Sequence, residues 1–117
     1  MEKYNRPWGW YINVKEEKNQ FKIKHICVFP KKRLSLQSHN RRSEHWVMVK
    51  GKAKVQVGKD FLILHKNQNV FIPKETLHRI ENLDDSENVE FVETQIGDYL
   101  EEDDIIRFED VYNRNIS

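Results

Sequence analysis

The sequence predicts an all-β chain, a sandwich or jelly roll. Short alternating or apolar segments recur at regular spacing, and turns bearing Gly, Asn or Asp close them. The 117 residues are enough for one hydrophobic core, and no repeat, linker or low-complexity stretch divides them. One domain over residues 1–117 is expected.

Taken in order, Arg6-Pro7-Trp8-Gly9-Trp10-Tyr11 is a leading aromatic segment. Trp8 and Trp10 are expected to cover a barrel end or to lie in a homodimer contact. Residues 21–29, FKIKHICVF, alternate at first and then turn apolar, as a strand running into a two-layer core does, and Pro30 ends it. Leu34-Ser35-Leu36 alternates again, so Gln37 and His39, two apart, would share one face of that strand. Asn40-Arg41-Arg42-Ser43 reads as a polar turn before a strand over 45–49, which Gly51 closes. Residues 52–57 alternate cleanly, and Gly58-Lys59-Asp60 turns into 61–64. Asn67-Gln68-Asn69 then turns into 70–72. Asp84-Asp85-Ser86-Glu87-Asn88 is a hairpin loop before the strand 89–96. Residues 98–107 place acids first and Arg107 last, which suits a helix dipole; a short helix or a solvated acidic cap is expected.

Composition sets bounds on function. Charged residues make up 33%, apolar ones 38% and aromatic ones 11%, an ordinary soluble mixture. A formal charge of +1 gives no global field to recommend nucleic acid. The lone Cys27 excludes an internal disulfide and reads as a core thiol of a reducing compartment. No apolar run is long enough to span a membrane, and MEKYNRPWGW holds no secretory apolar region, so no membrane partner and a cytoplasmic location are expected.

Glu44 follows His39 across the polar turn. Two adjoining strands would then present the amide oxygen of Gln37, the imidazole of His39 and the carboxylate of Glu44 to one cavity. His78, in IPKETLHRIEN, is a fourth candidate. Such donors suit a divalent metal: Zn first, with Mn, Fe, Co or Ni also fitting. The same local spacing also fits a histidine in a polar turn beside an unrelated glutamate. His25 and His65 have no partner at meaningful spacing, and His45 should face away from Glu44. Trp46 and Met48 share Glu44's face and should pack beneath it.

The longer spacing resembles the two cupin motifs. Lys31-x5-Gln37-x-His39-x4-Glu44-x6-Gly51 matches the first, and Asn67-x5-Pro73-x-Glu75-x2-His78-x3-Asn82 matches the second. Lys31, Asn67 and Glu75 stand where the motifs have glycine, and Gln37 stands where most metal cupins have histidine. A Gln-x-His pair there is typical of phosphomannose isomerases. RPWG, FKIK, LSLQ-x-H, EHW, IP, HR-x-EN, GDYL and EDDI-x-R follow the order of one family over nearly the whole chain. That family is the C-terminal isomerase region of bifunctional mannose-1-phosphate guanylyltransferase/mannose-6-phosphate isomerases. Asp110, Tyr112 and Arg114 continue the likeness; the pattern has glycine at Glu101 and Asn113, and His at Arg41. No nucleotidyltransferase region accompanies it here, so the likeness is to the isomerase cupin standing alone.

The resemblance implies a cupin, a double-stranded β-helix or jelly-roll barrel, to which the charge order of the tail adds a short C-terminal helical segment. It also implies interconversion of mannose 6-phosphate and fructose 6-phosphate, in carbohydrate metabolism, at a metal held by Gln37, His39, Glu44 and His78. A base is needed, and Glu93, Asp103 and Asp104 are candidates. For the sugar phosphate Arg79, Arg107, Arg41 and Lys74 are candidate cations, each otherwise readable as a surface ion pair. The alternative is a non-catalytic sugar- or metal-binding cupin that partners a separate sugar-nucleotide enzyme.

Overall fold

Turn-punctuated, β-prone segments give eleven strands in a computed structural model that describes residues 1–109 of the protein. They are β1 (Lys3–Arg6), β2 (Gly9–Glu17), β3 (Phe21–Val28), β4 (Leu36–Ser38), β5 (Arg42–Lys50) and β6 (Ala53–Val57). After these come β7 (Asp60–Leu64), β8 (Asn69–Ile72), β9 (His78–Glu81), β10 (Val89–Gly97) and β11 (Ile106–Glu109). Two sheets form, in the orders β1-β2-β3-β10-β5-β8 and β11-β4-β9-β6-β7. All pairings are antiparallel. The core draws on both sheets: Trp46, Met48, Ile72 and Phe91 from one meet Val55, Leu64 and Ile80 from the other.

Alternation fixes which side chains point inward, and the inward rows of the larger sheet change character along the strands. On β3, Lys22 and Lys24 are buried at one end and Ile26 and Val28 at the other. On β10, Glu93 and Gln95 are buried at one end and Val89 and Phe91 at the other. On β5, Arg42 and Glu44 precede Trp46 and Met48, all four buried. Register lines these ends up: Lys24 lies opposite Glu93 and Gln95 opposite Glu44, while Phe91 lies opposite both Ile26 and Met48. One half of the sheet's inner face is therefore hydrophobic core. The other half is polar and lines a cavity.

Three expectations are corrected. The polar turn is shorter than its composition suggests, because β5 already begins at Arg42, which pairs with Gly97. A side chain at Gly97 would run into the Arg41 carbonyl and Arg42 Cα, so glycine permits this close approach. The tail carries no helix, and none occurs among the described residues. Tertiary bonds hold it extended: the buried Lys22 Nζ donates to the Leu100 carbonyl at 2.9 Å, and Ile106–Glu109 pairs with β4. Trp8 is in the chain's own core at 5% exposure, where it cannot serve a subunit contact. Trp10 is half-buried, with the His25 ring edge-on at 5.0 Å. Asp110, Tyr112, Asn113 and Arg114 lie outside the described residues.

The positions that lack the motif glycines keep a glycine-like backbone. Lys31 (φ 63°), Asn67 (φ 75°) and Glu75 (φ 60°) are all left-handed. The Glu75 turn also supports the polar half directly, since its N–H donates to the His39 carbonyl at 2.7 Å.

Candidate metal centre and its cavity

His39 follows β4, Glu44 lies on β5 and His78 opens β9. β4 and β5 are not neighbours in one sheet, as the sequence suggested; they belong to opposite sheets, and the cluster closes across the sandwich. The ligand-capable atoms of His39, Glu44 and His78 all lie within 4.8 Å of one another, and all three residues are buried. Gln37 pairs with His78 in register and lines the same cavity. Its amide nitrogen donates to Ser35 Oγ at 2.9 Å, which fixes the amide and leaves the oxygen as its other end.

Hydrogen bonds aim the imidazoles. His39 Nδ1 lies 2.6 Å from the Asp104 carbonyl, and His78 Nδ1 lies 2.9 Å from the Thr76 carbonyl. A carbonyl only accepts, so both Nδ1 atoms donate and each neutral ring keeps a lone pair on Nε2. His39 Nε2 is 3.2 Å from Glu44 Oε2, and His78 Nε2 is 3.9 Å from Glu44 Oε1. Burial pushes the His39 pKa down to about 4, against the opposing pull of Glu44, so the ring is neutral at pH 7. Burial pushes the Glu44 carboxyl up, but the charge of Arg42, foremost, and the Trp46 hydrogen bond act against it, and the group is held below the usual carboxylate range. Trp46 does more than pack beneath the site: its Nε1–H donates to Glu44 Oε1 at 2.8 Å. Converging acceptors of this kind, buried and oriented from behind, fit a divalent cation.

The cluster opens into a cavity of about 220 Å³. Arg6, Lys24, Arg42, Arg79 and Arg107 line it, against the carboxyls of Glu44, Glu93 and Glu102. That balance favours an anionic ligand. Glu93 is where the sequence reading needs it, buried on the cavity wall, with Gln95 Nε2 donating to its Oε2 at 2.6 Å. Burial, then the charge of Glu44, push the Glu93 pKa up to about 8 against Lys24 and Arg42. The other end of the Gln95 amide, Oε1, is buried without a partner.

The remaining candidates divide. Arg79 and Arg107 line the cavity, Arg79 with its guanidinium on Glu109. Asp104 does not line it: its carboxylate accepts from the backbone N–H groups of Asn40 (3.0 Å) and Arg41 (2.9 Å). Asp103 is exposed and accepts from the Tyr99 hydroxyl at 2.6 Å. Arg41 is exposed, ion-paired to Asp98 at 3.3 Å, and neither it nor Lys74 reaches the cavity wall. His45 faces outward beside Phe71, and Cys27 is a buried thiol with its pKa pushed up to about 11 by burial.

Sequence reasoning missed Arg42 and Lys24. Arg42 Nε donates to Glu44 Oε2 at 2.9 Å, and Lys24 Nζ donates to Glu102 at 3.1 Å. The available signal was parity: Arg42 shares Glu44's side of an alternating strand, and Lys24 shares that of Ile26 and Val28.

A family model described as mannose-6-phosphate isomerase C-terminal matches residues 1–110. The xanthan biosynthesis protein XanB of Xanthomonas campestris pv. campestris is 45% identical over 112 residues, 96% of this chain and 24% of that protein. The alginate biosynthesis protein AlgA of Pseudomonas putida is 46% identical over 109 residues, 93% of this chain and 22% of that protein. The chain thus spans about a quarter of the length of the curated relatives it matches. Among solved structures, the Schizosaccharomyces pombe Cnp3 cupin domain superposes with a TM-score of 0.75 at 14% identity, covering 84% of this chain and 69% of that one. That likeness establishes the cupin fold.

Proposed function

Because the chain belongs to the mannose-6-phosphate isomerase C-terminal family, we propose that it is a metal-dependent isomerase interconverting mannose 6-phosphate and fructose 6-phosphate. The observation that carries the reading is one cavity holding His39, Glu44 and His78 beside a carboxyl, Glu93, whose proton is held near neutrality.

Gln37, His39, Glu44 and His78 would hold a divalent ion, which supplies electrophilic stabilisation to an oxygen that gains charge during enolisation. Glu93 is the group that moves the proton between C1 and C2. Its carboxylate form takes the proton, and its raised pKa lets the same oxygen return it. Gln95 fixes the orientation of the carboxyl through the 2.6 Å bond. Arg79 and Arg107 lie on the cavity wall, where their charges suit the phosphate. Asp104 acts on the site through His39: its carbonyl fixes the imidazole tautomer, and its carboxylate pins the turn that carries it.

The test combines metal content, turnover and isotope exchange. Purified protein should carry about one divalent ion per chain, and His39→Ala with His78→Ala should remove it. Loaded protein should make fructose 6-phosphate and place solvent deuterium at C2 of recovered mannose 6-phosphate. Loaded protein that binds the sugar phosphate yet does neither would overturn the isomerase reading and leave a sugar-binding cupin.

A further inference from the structure

Arg42 holds a place that none of the roles above requires. Its side chain is 7% exposed and sits within the proposed ligand set. Nε donates to Glu44 Oε2 at 2.9 Å, and Nη2 lies 3.1 Å from His39 Nε2. Because His39 Nδ1 already donates to the Asp104 carbonyl, Nε2 must be the acceptor in the second bond. Both residues that Arg42 engages are therefore proposed ligands, and His39 Nε2 is the one ring atom left for a metal ion. One lone pair cannot serve a guanidinium N–H and a cation at once.

We infer that Arg42 is a resident cation that competes with the metal for His39 and Glu44, and that metal loading transfers its guanidinium to the anion bound in the cavity. The inference rests on the metal-dependent reading of the site. A divalent ion within the cluster repels the guanidinium as well as displacing it. Arg42 also lines the cavity, so the displaced head stays among the groups that would surround a phosphate. Its planar fork suits two phosphate oxygens as well as it suits Glu44 and His39. Metal and anion binding are then linked, and linkage is reciprocal: each tightens the other by the same factor. An arginine that merely buttressed Glu44 and His39 would behave oppositely, since removing it would loosen the ligands and weaken the metal.

The direction of the change in metal affinity separates the two roles without any activity measurement. Zn affinity is measured at pH 7 by competition with a chromogenic chelator, for wild type, Arg42→Gln and Arg42→Lys. Arg42→Gln should bind Zn about tenfold more tightly or better, and the lysine variant should lie between, because an ammonium cannot span both acceptors with a planar fork. Saturating mannose 6-phosphate should tighten Zn binding about tenfold more in wild type than in Arg42→Gln, where only the sugar's own contact with the metal remains. Weaker or equal Zn binding by Arg42→Gln, or equal tightening in both proteins, overturns the inference. Should the variants fail to fold, the wild type decides alone: the Arg42 Nε–H resonance must shift and exchange faster with solvent on Zn addition. A resonance that Zn does not move overturns the inference. Wild type that binds no Zn overturns this and the isomerase reading together. Zn coupling without isomerisation defeats only the isomerase reading, and isomerisation with unaltered Zn affinity in Arg42→Gln defeats only the role of Arg42.

Discussion

β3, β10 and β5 run side by side, and each contributes one apolar pair and one polar pair to the same inner face. The apolar half joins the core through Ile26, Val28, Met48, Val89 and Phe91. The polar half places Lys22, Lys24, Glu93, Gln95, Arg42 and Glu44 at equal depth, each at most 7% exposed. Both halves lie on the same three antiparallel strands, so the difference comes from the side chains put on them. Burial in the apolar half stabilises the fold. Burial in the polar half costs desolvation that ion pairs and hydrogen bonds only partly return. A sheet can thus carry a binding cavity on the same face as its core, provided that one end supplies the stability the other forgoes.

The strongest way to break this division is to attack the apolar half. Phe91→Ala should cost about 3–5 kcal/mol in urea unfolding while leaving one metal site per folded chain. A loss below about 1 kcal/mol would show that stability is spread differently. Glu93→Gln probes the polar half with the opposite sign. The folded carboxyl holds its proton up to about pH 8, whereas its ordinary value is 4.5. Between those values the folded state binds more protons than the unfolded chain, so wild-type stability falls as pH rises through that window. Glutamine cannot ionise, so the variant should match wild type below pH 4.5 and exceed it increasingly up to about pH 8. Its turnover should fall by ~10²–10⁴. A variant that is less stable at pH 8 would mean that the polar half is structural after all. The smallest effect belongs to the left-handed turns. Lys31→Gly and Glu75→Gly relieve left-handed strain and should each add about 0.5–1 kcal/mol by thermal unfolding, with Asn67→Gly adding less because asparagine tolerates that backbone.

Much of this arrangement was legible in the sequence. Strand period and turn length relate Gln37, His39 and Glu44 locally, but only the longer motif spacing added His78; all four line one cavity, which closes across the two sheets. The outward face of His45 and the burial of Trp46 and Met48 follow from the same period. What was hidden depends on tertiary partners. FKIK alternates equally well with either parity inside, and hydrophobicity argues for Phe21 and Ile23; the inner face instead takes Lys22 toward the Leu100 carbonyl and Lys24 toward Glu102. Charge order over residues 98–107 suited either a short helix or a solvated acidic cap, but four bonds from Lys22, His39, Asn40 and Arg41 hold that segment to distant strands and turns. Trp8 looked like a barrel-end or interface residue because it stands in an aromatic-rich leading segment, yet the β1–β2 turn folds it into the core.

The fastening of residues 98–105 also has a consequence in time. Asp104 holds His39 with its carbonyl and the amides of Asn40 and Arg41 with its carboxylate, so one residue clamps both the imidazole and the turn beneath it. The ring cannot swing out while the clamp is closed, and those two amides are shielded for the same interval. Hydrogen exchange at Asn40 and Arg41 is therefore a clock for the turn that carries His39. The lifetime of the His39 orientation is governed by how often the Asp104 contacts break.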